Sequence, residues 1–259
     1  MDAETLKIRG LTVRFGGLKA VDGVDFSIFK HEIVSLIGPN GAGKTTAFNA
    51  ITGFIKASGR MEFEGYVLSD LRPHAIASKG IVRTFQITSL FPKISVLDNL
   101  RISYHLQENQ TFFDAVFDTK RKSRVEEETL RKTMEILRFI DLENEKDRMA
   151  GALPYGKQRI LEAGIALAAS PKLLLLDEPS AGLNDTETQE MMELIIKIRD
   201  RGVTILLVEH DMKLVMGISD RIIVLNFGKK IAEGKPDEIK TNPEVIAAYL
   251  GGKKEDAHH

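Results

Sequence analysis

A glycine-rich segment directly follows a short, mostly apolar run in the first fifth of this chain. The run is Ile33–Ile37, and residues 38–45 satisfy the P-loop pattern Gly-x-x-x-x-Gly-Lys-Thr. Backbone N–H groups of a P-loop and the N-terminus of its helix bind phosphate, the lysine reaches the β- and γ-phosphates, and the threonine hydroxyl ligates Mg²⁺. The sequence therefore predicts a strand, a loop that binds a nucleoside triphosphate, and a helix over 44–54. The predicted nucleotide-binding residues are Gly38, Pro39, Asn40, Gly41, Ala42, Gly43, Lys44, Thr45 and Thr46.

Two later apolar runs predict a parallel sheet around this loop. Residues 173–176 are all leucine and 203–208 are almost entirely apolar, with a predicted helix over 186–199 between them. Apolar strands that alternate with helices are typical of a parallel sheet covered on both faces. Residues 222–225 predict a further strand and 236–250 predict short helices. We therefore expect an α/β fold with a mostly parallel P-loop NTPase core.

The N-terminal region predicts antiparallel strands instead. Apolar residues alternate between residues 4 and 31, with turns expected at Gly16-Gly17 and at Gly23. Residues 59–68 predict a hairpin. Together these segments form an expected antiparallel β subdomain.

From about residue 91 to 149 the pattern becomes helical. Leu130, Met134, Leu137 and Ile140 are spaced to lie on one helical face. A second helix is predicted over 157–169. We expect two domains: a nucleotide-binding core of residues 1–86 and 171–259, which includes the β subdomain, and an inserted α-helical subdomain over 87–170.

Composition limits the classes of function. Lys and Arg total 36 against 37 for Asp and Glu, and the resulting net charge of -1 argues against nucleic acid as a partner. The chain has no cysteine, which excludes disulfides and thiolate zinc sites. No apolar stretch approaches the roughly 18 residues of a membrane span, and the acidic, polar start predicts no signal peptide. A cytoplasmic chain is expected.

Two carboxylates follow the leucine run. Strand alternation is expected to point Asp177 and Glu178 in different directions. Asp177 is predicted to hold Mg²⁺, and Glu178 to orient or deprotonate an attacking water. This pair favours hydrolysis over the small-molecule kinase that the P-loop alone leaves open. A GTPase is disfavoured because the guanine-reading order Asn-Lys-x-Asp does not occur.

Two more polar side chains are expected near the same edge of the sheet. His210 follows the run 203–208, and open α/β sheets bind ligands at the carboxyl ends of their strands. We therefore predict a contact between His210 and the γ-phosphate. Gln86, which follows 81–85 at the start of the predicted helical subdomain, is a candidate to contact Mg²⁺ or the water, and the residues alone leave both open. The predicted catalytic residues are Lys44, Gln86, Glu178 and His210, and the predicted metal ligands are Thr45, Gln86 and Asp177.

These landmarks, in this order, resemble the ATP-binding subunit of an ABC transporter. They are 38–45, Gln86, 153–158, 173–178, 180–185 and 209–210, and the resemblance covers about residues 4–251. Longer strings, at 15–21, 49–54, 82–86, 209–221 and 242–251, are similar to the branched-chain amino acid importer subfamily.

The resemblance implies a role for each landmark. Phe15 occupies the position of the aromatic that stacks on adenine, although its alternation also suits a core residue. Gln86 is implied to link the Mg²⁺ site to membrane subunits, Glu178 to be the catalytic base, and His210 to sense the γ-phosphate. The signature segment is implied to contact the nucleotide of a second ATPase subunit in trans through Leu153, Pro154, Tyr155, Gly156, Lys157 and Gln158.

Two residues depart from the general ABC pattern. Pro154 stands where most members have Ser, and it lacks both the hydroxyl and the N–H that Ser offers. A Pro-Tyr pair is usual in the importer subfamily. Asn184 stands in the dimer loop, 180–185, where most members have Asp, so it keeps hydrogen-bonding capacity but lacks the charge.

The resemblance also implies partners and a function. It implies a second ATPase subunit, two membrane permease subunits and, indirectly, an extracytoplasmic substrate-binding protein, with the chain at the cytoplasmic face of the membrane. The implied function is ATP hydrolysis that drives import of branched-chain or related amino acids. Export of lipopolysaccharide or a related lipid, and import of urea, remain alternatives. A DNA-repair-type ABC ATPase is disfavoured because the chain lacks a long coiled coil.

Overall fold

The chain divides into two compact units in the structure, a computed structural model that describes residues 4–84, 90–105 and 119–251. Unit 1 is Met1–Arg83 with Lys172–His259, and unit 2 is Thr84–Pro171. The described strands are β1 (Glu4–Phe15), β2 (Leu18–Phe29), β3 (Ile33–Ile37), β4 (Ser58–Phe63), β5 (Tyr66–Val67), β6 (Ile81–Arg83), β7 (Leu173–Asp177), β8 (Thr204–Val208), β9 (Arg221–Asn226) and β10 (Lys229–Gly234). The described helices are α1 (Lys44–Ile51), α2 (Pro73–Ala77), α3 (Val96–His105), α4 (Thr119–Phe139), α5 (Tyr155–Ala168), α6 (Asp185–Asp200), α7 (Met212–Ile218), α8 (Pro236–Thr241) and α9 (Pro243–Gly251).

The core of unit 1 is a six-stranded sheet in the order β10-β9-β3-β8-β7-β6. Neighbours from β9 to β6 are parallel, and β10 pairs antiparallel with β9. Every residue of β3, β7 and β8 is buried, as expected for strands covered on both faces. The registers align Leu36, Val208 and Asp177 in one row across these three strands. The loops that follow β3, β7 and β8 therefore leave the sheet at the same edge, and the prediction of a mostly parallel core is confirmed.

The predicted antiparallel subdomain is a four-stranded sheet in the order β2-β1-β4-β5. The turn between β1 and β2 lies at Gly16-Gly17 as expected, but the turn expected at Gly23 is wrong. The strand continues through Gly23, where the pairing shifts from Leu11 opposite Val24 to Val13 opposite Val21. Gly23 has φ +67 within this bulge, a conformation that glycine adopts readily.

Unit 2 is helical in its described residues. The buried positions of α4 and the residue after it are Thr129, Thr133, Ile136, Leu137 and Ile140, and 43% of Leu130 is exposed. The prediction that Leu130 lies on the apolar face is therefore wrong, because two threonines on the neighbouring positions are buried instead. The Thr133 hydroxyl donates to the Thr129 carbonyl at 2.7 Å, which allows this polar group to be buried inside the helix.

Two helix boundaries differ from the predictions. Helix α1 ends at Ile51 rather than at residue 54, because Gly53 turns the chain with φ +74. Helix α5 begins at Tyr155 rather than at residue 157, so Gly156 lies within its first turn. Among the described residues, no helix is both long and apolar enough to cross a membrane.

Candidate functional site

The P-loop is shaped by glycines that approach neighbouring backbone closely. Gly38, Gly41 and Gly43 have φ of +152, +77 and +101. A Cβ atom on Gly38 would lie 2.1 Å from the Leu225 carbonyl oxygen, and one on Gly43 would lie 2.4 Å from the Ala20 carbonyl oxygen. A Cβ on Gly41 meets nothing within 4 Å. The loop therefore requires glycine at 38 and 43 for space as well as for conformation.

Lys44, the first residue of α1, turns back onto this loop. Its Nζ donates to the carbonyl oxygens of Gly38 at 2.7 Å and Pro39 at 3.0 Å, and 6% of the residue is exposed. Burial lowers the pKa of the Lys44 ammonium below its usual value, and attraction to Glu178 and Asp177 acts in the opposite direction. A cation confined beside the loop is suited to receive phosphate oxygens.

Asp177 ends β7 as a buried carboxylate held by a buried arginine. Arg83 donates from Nη2 to Asp177 Oδ2 at 2.6 Å and from Nη1 to Asn49 Oδ1 at 2.6 Å. Its guanidinium lies over the Phe48 ring, 5.5 Å from the centroid. Arg83 thus links the end of β6 to the P-loop helix and to the predicted metal ligand. Sequence reasoning missed this residue, although a buried carboxylate requires such a partner.

Glu178 is separated from Asp177 by a backbone turn rather than by strand alternation. The strand ends at Asp177, and Glu178 has φ +49, a left-handed conformation that is unfavourable for a residue with a Cβ. The Glu178 N–H donates to the Val208 carbonyl oxygen at 2.9 Å, and the Glu178 carbonyl oxygen accepts from the Ala181 N–H at 3.1 Å. This turn directs the side chain toward the loop after β8.

His210 and Glu178 are brought together, as the shared sheet edge predicts. His210 Nε2 and Glu178 Oε1 lie 3.0 Å apart, at hydrogen-bond distance. The preceding residue, Glu209, is buried and accepts hydrogen bonds from Ser180 and from the backbone of the loop after β8. Sequence reasoning noted Glu209 only as a neighbour of His210. Its signal was a carboxylate at the end of a buried strand.

Most of the remaining residues predicted in unit 1 are exposed or half-buried, whereas Ala42 is buried in the P-loop. Phe15 ends β1 beside the turn to β2 and is 53% exposed, so the alternative that it is a core residue is wrong. Thr45 is exposed and Thr46 half-buried in the first turn of α1. Asn184 caps α6, since its Oδ1 accepts from the N–H groups of Thr186 and Glu187 at 3.0 Å. Gln86 lies outside the described residues.

The signature segment lies in unit 2 at the start of α5. Leu153 is buried and its carbonyl oxygen accepts from Gln158 Nε2 at 2.9 Å. Pro154 occupies the N-cap position, and Tyr155 is 45% exposed. Lys157 pairs with Glu145 at 2.9 Å. The segment therefore presents an aromatic side chain at a helix N-terminus.

Comparison with known proteins assigns the class. The sequence profile described as ABC transporter matches residues 21–181, more than half of the chain, and a profile described as branched-chain amino acid ATP-binding cassette transporter matches residues 229–255. The chain belongs to the ABC transporter family and carries its ATPase fold.

The chain is also similar over most of its length to individual proteins of that family. Over 253 residues, 97% of this chain and 99% of the relative, it is 46% identical to the high-affinity branched-chain amino acid transport ATP-binding protein BraF of Pseudomonas aeruginosa. The crystal structure of the ADP conformation of MJ1267, an ATP-binding cassette of an ABC transporter, is similar with a TM-score of 0.85 and 33% identity, over 96% of this chain and 99% of that one. A dimeric post-hydrolysis structure of the ATP-binding cassette MJ0796 bound to ADP and Pi has a TM-score of 0.73 and 25% identity, over 89% and 98%.

Proposed function

We propose that this chain is the ATP-hydrolysing subunit of an ABC importer for branched-chain or related amino acids. The observation that carries the hydrolytic part is the 3.0 Å contact between Glu178 and His210 at the sheet edge from which the P-loop also leaves. The substrate class rests on the nearly full-length similarity to BraF and on the match of residues 229–255 to a branched-chain amino acid cassette profile.

In this proposal the P-loop binds the triphosphate and the loops after β7 and β8 act on water. N–H groups at the start of α1 and the Lys44 ammonium bind phosphate oxygens. Glu178 accepts a proton from the attacking water, and the His210 imidazole holds that carboxylate before the γ-phosphate arrives and then contacts the phosphate. The Lys44 ammonium would thereby exchange its neutral carbonyl partners for anionic phosphate oxygens.

Magnesium fits the oxygen donors at this edge. The Asp177 carboxylate ends a buried strand, and the Thr45 hydroxyl is exposed in the first turn of α1. Carboxylate, hydroxyl and phosphate oxygens with waters are the ligands that Mg²⁺ prefers. Thr45, Gln86 and Asp177 would hold it, and bound Mg²⁺ would supply positive charge that offsets the charge of the triphosphate.

The same proposal includes partners. A second ATPase subunit would receive the signature segment, 153–158, and the dimer loop around Asn184, and the dimer of MJ0796 with ADP and Pi supports such a pairing. ATP binding and hydrolysis in the nucleotide-binding core would move the helical subdomain, 87–170, and two permease subunits would respond to this movement. A binding protein would deliver the substrate to the permease subunits. The chain would then lie at the cytoplasmic face of the membrane.

Reconstitution tests this function. The full-length chain is purified from solubilised membranes with its permease subunits and inserted into vesicles loaded with MgATP. We expect leucine, isoleucine or valine uptake that requires the external binding protein and stops when the chain carries Glu178→Gln. ATP hydrolysis that is stimulated by urea or lipid, and not by these amino acids, would contradict the proposed substrate class.

Phe15 is expected to give affinity without selecting the base. Stacking on an aromatic face reads no base edge, so GTP should bind within about tenfold of ATP, roughly 1.4 kcal/mol. Phe15→Ala should weaken both nucleotides by about 1–3 kcal/mol. Phe54→Ala is the matched control, because Phe54 is 52% exposed but follows α1 rather than β1. Equilibrium binding of both nucleotides checks this; a wild-type preference of a hundredfold for ATP would contradict it.

A further inference from the structure

A buried carboxylate joins the two loops that carry Glu178 and His210. Glu209, 3% exposed, directly follows β8. Its Oε1 accepts from Ser180 N at 2.8 Å and Ser180 Oγ at 2.7 Å, and its Oε2 accepts from the N–H groups of His210 at 2.8 Å and Asp211 at 3.2 Å. Four donors provide the surroundings that an ionised carboxylate needs when it is buried.

Each oxygen fixes a different backbone segment. Through Oε1, Glu209 holds Ser180, which lies two residues after Glu178 in the turn closed by the Ala181 N–H. Through Oε2, it holds the backbone of His210 itself. Glu178 and His210 are 32 residues apart in the chain, yet their side chains are in contact. The Glu209 carboxylate is bonded to both of the loops that carry them.

We propose that Glu209 is a positioning residue for hydrolysis, and that it sets the distance between Glu178 and His210 by bonding to Ser180 and to the His210 backbone. This inference rests on the proposed function of Glu178 and His210. Glu209 acts through these two residues and exchanges no proton with the substrate. Its four donors are in the loops after β7 and β8, outside the P-loop. Loss of these bonds should therefore act on the hydrolytic step, while the P-loop contacts that supply most of the affinity for the triphosphate remain.

A purely structural role for Glu209 predicts a different experimental result. A carboxylate that only stabilises the fold would, when removed, lower stability and reduce nucleotide binding and turnover together. A positioning carboxylate would lower kcat while ATP affinity remains, because misplacement of a reacting group by about 1 Å is enough to cost up to a hundredfold in rate. The difference between kcat and affinity therefore separates the two roles.

The main variant is Glu209→Gln in the full-length chain. The amide keeps the shape but turns an NH2 group toward N–H donors on one of the two loops. We expect kcat for ATP to fall about 10- to 100-fold, with ATP affinity within about threefold of wild type. Ser180→Ala is the milder variant, since it removes one of the four bonds and retains the backbone donor. For it we expect a loss in kcat of about three- to tenfold.

Glu32→Gln is the matched control for stability. Glu32 is also a largely buried carboxylate, bonded to Arg221 at 2.8 and 2.9 Å and to Phe29 N at 2.9 Å, but it precedes β3 at the opposite edge of the sheet. The Glu32→Gln variant should have a lower unfolding temperature than wild type but an unchanged kcat. A second test is the double variant with His210→Ala, in which Glu209→Gln should cost no more than about threefold further in kcat.

The outcomes separate this inference from the proposed function. If Glu178→Gln hydrolyses ATP at the wild-type rate, the proposed function of the site is wrong. If Glu178→Gln is inactive while folded Glu209→Gln and Ser180→Ala keep wild-type kcat, the positioning role alone is wrong. Equal losses of kcat and ATP affinity, or an undiminished loss in the His210→Ala background, would also overturn it in favour of a structural role.

Discussion

Glu178→Gln should lower the rate of ATP hydrolysis by about two to four orders of magnitude while ATP binding is retained. The amide keeps the shape of the side chain and a hydrogen-bonding oxygen for His210, but it cannot accept a proton from water. Asp177, Lys44 and the P-loop are unchanged, so the sites for phosphate and metal remain. Single-turnover hydrolysis and equilibrium ATP binding, measured on the same preparation, give the two readouts.

Glu64→Gln provides a closely matched control. Glu64 is also a non-glycine residue in the left-handed conformation, with φ +45 against +49 for Glu178, and its side chain is 23% exposed against 20%. It lies in the turn between β4 and β5 and pairs with Lys172. Any effect of the substitution on a strained backbone would appear in both variants. Equal rates in Glu178→Gln and Glu64→Gln would show that Glu178 is not the base.

The strands that the sequence predicts most clearly are those in which every residue is buried. β3, β7 and β8 are buried on both faces, so a short apolar run was enough to identify each. β10 was not predicted, because it is an edge strand with the sequence Lys-Lys-Ile-Ala-Glu-Gly in which every position is exposed or half-buried and the two do not alternate. Its pairing with β9 determines that it is a strand, and pairing of this kind leaves no strong pattern in a single sequence.

The site residues also divide into those that a single short segment predicts and those that it does not. The P-loop residues and the carboxylates at 177 and 178 could be proposed as site residues because the chemistry proposed for them depends on spacing within one short segment. Arg83 and Glu209 were missed because their partners are distant in the chain: Arg83 and Asp177 are 94 residues apart, and Glu209 and Ser180 are 29 apart. No local pattern pairs such residues. Only the order of the strands brings them together.

Lys44→Met should abolish tight ATP binding while it leaves the nucleotide-free chain folded. The ammonium is buried against two neutral carbonyl oxygens, and burial lowers its pKa, so the folded protein disfavours its charge. Met removes that cost but also removes two hydrogen bonds, and these opposing effects should leave the free energy of unfolding within about 1 kcal/mol of wild type. ATP affinity should fall about 100- to 1,000-fold, because a charge-assisted contact with the phosphates is lost.

Thermal and chemical unfolding with and without MgATP measure both effects at once. At an ATP concentration of about 100 times the wild-type Kd, binding stabilises wild type by about 2.7 kcal/mol, whereas a variant that binds 100-fold more weakly gains only about 0.4 kcal/mol. Lys197→Met, which removes an exposed lysine from α6, should keep the full wild-type gain. A large loss of stability in nucleotide-free Lys44→Met would mean that the ammonium supports the empty loop. Retention of the ATP-dependent gain would mean that the backbone N–H groups bind the triphosphate without it, and the buried position of Lys44 would then have no role in affinity.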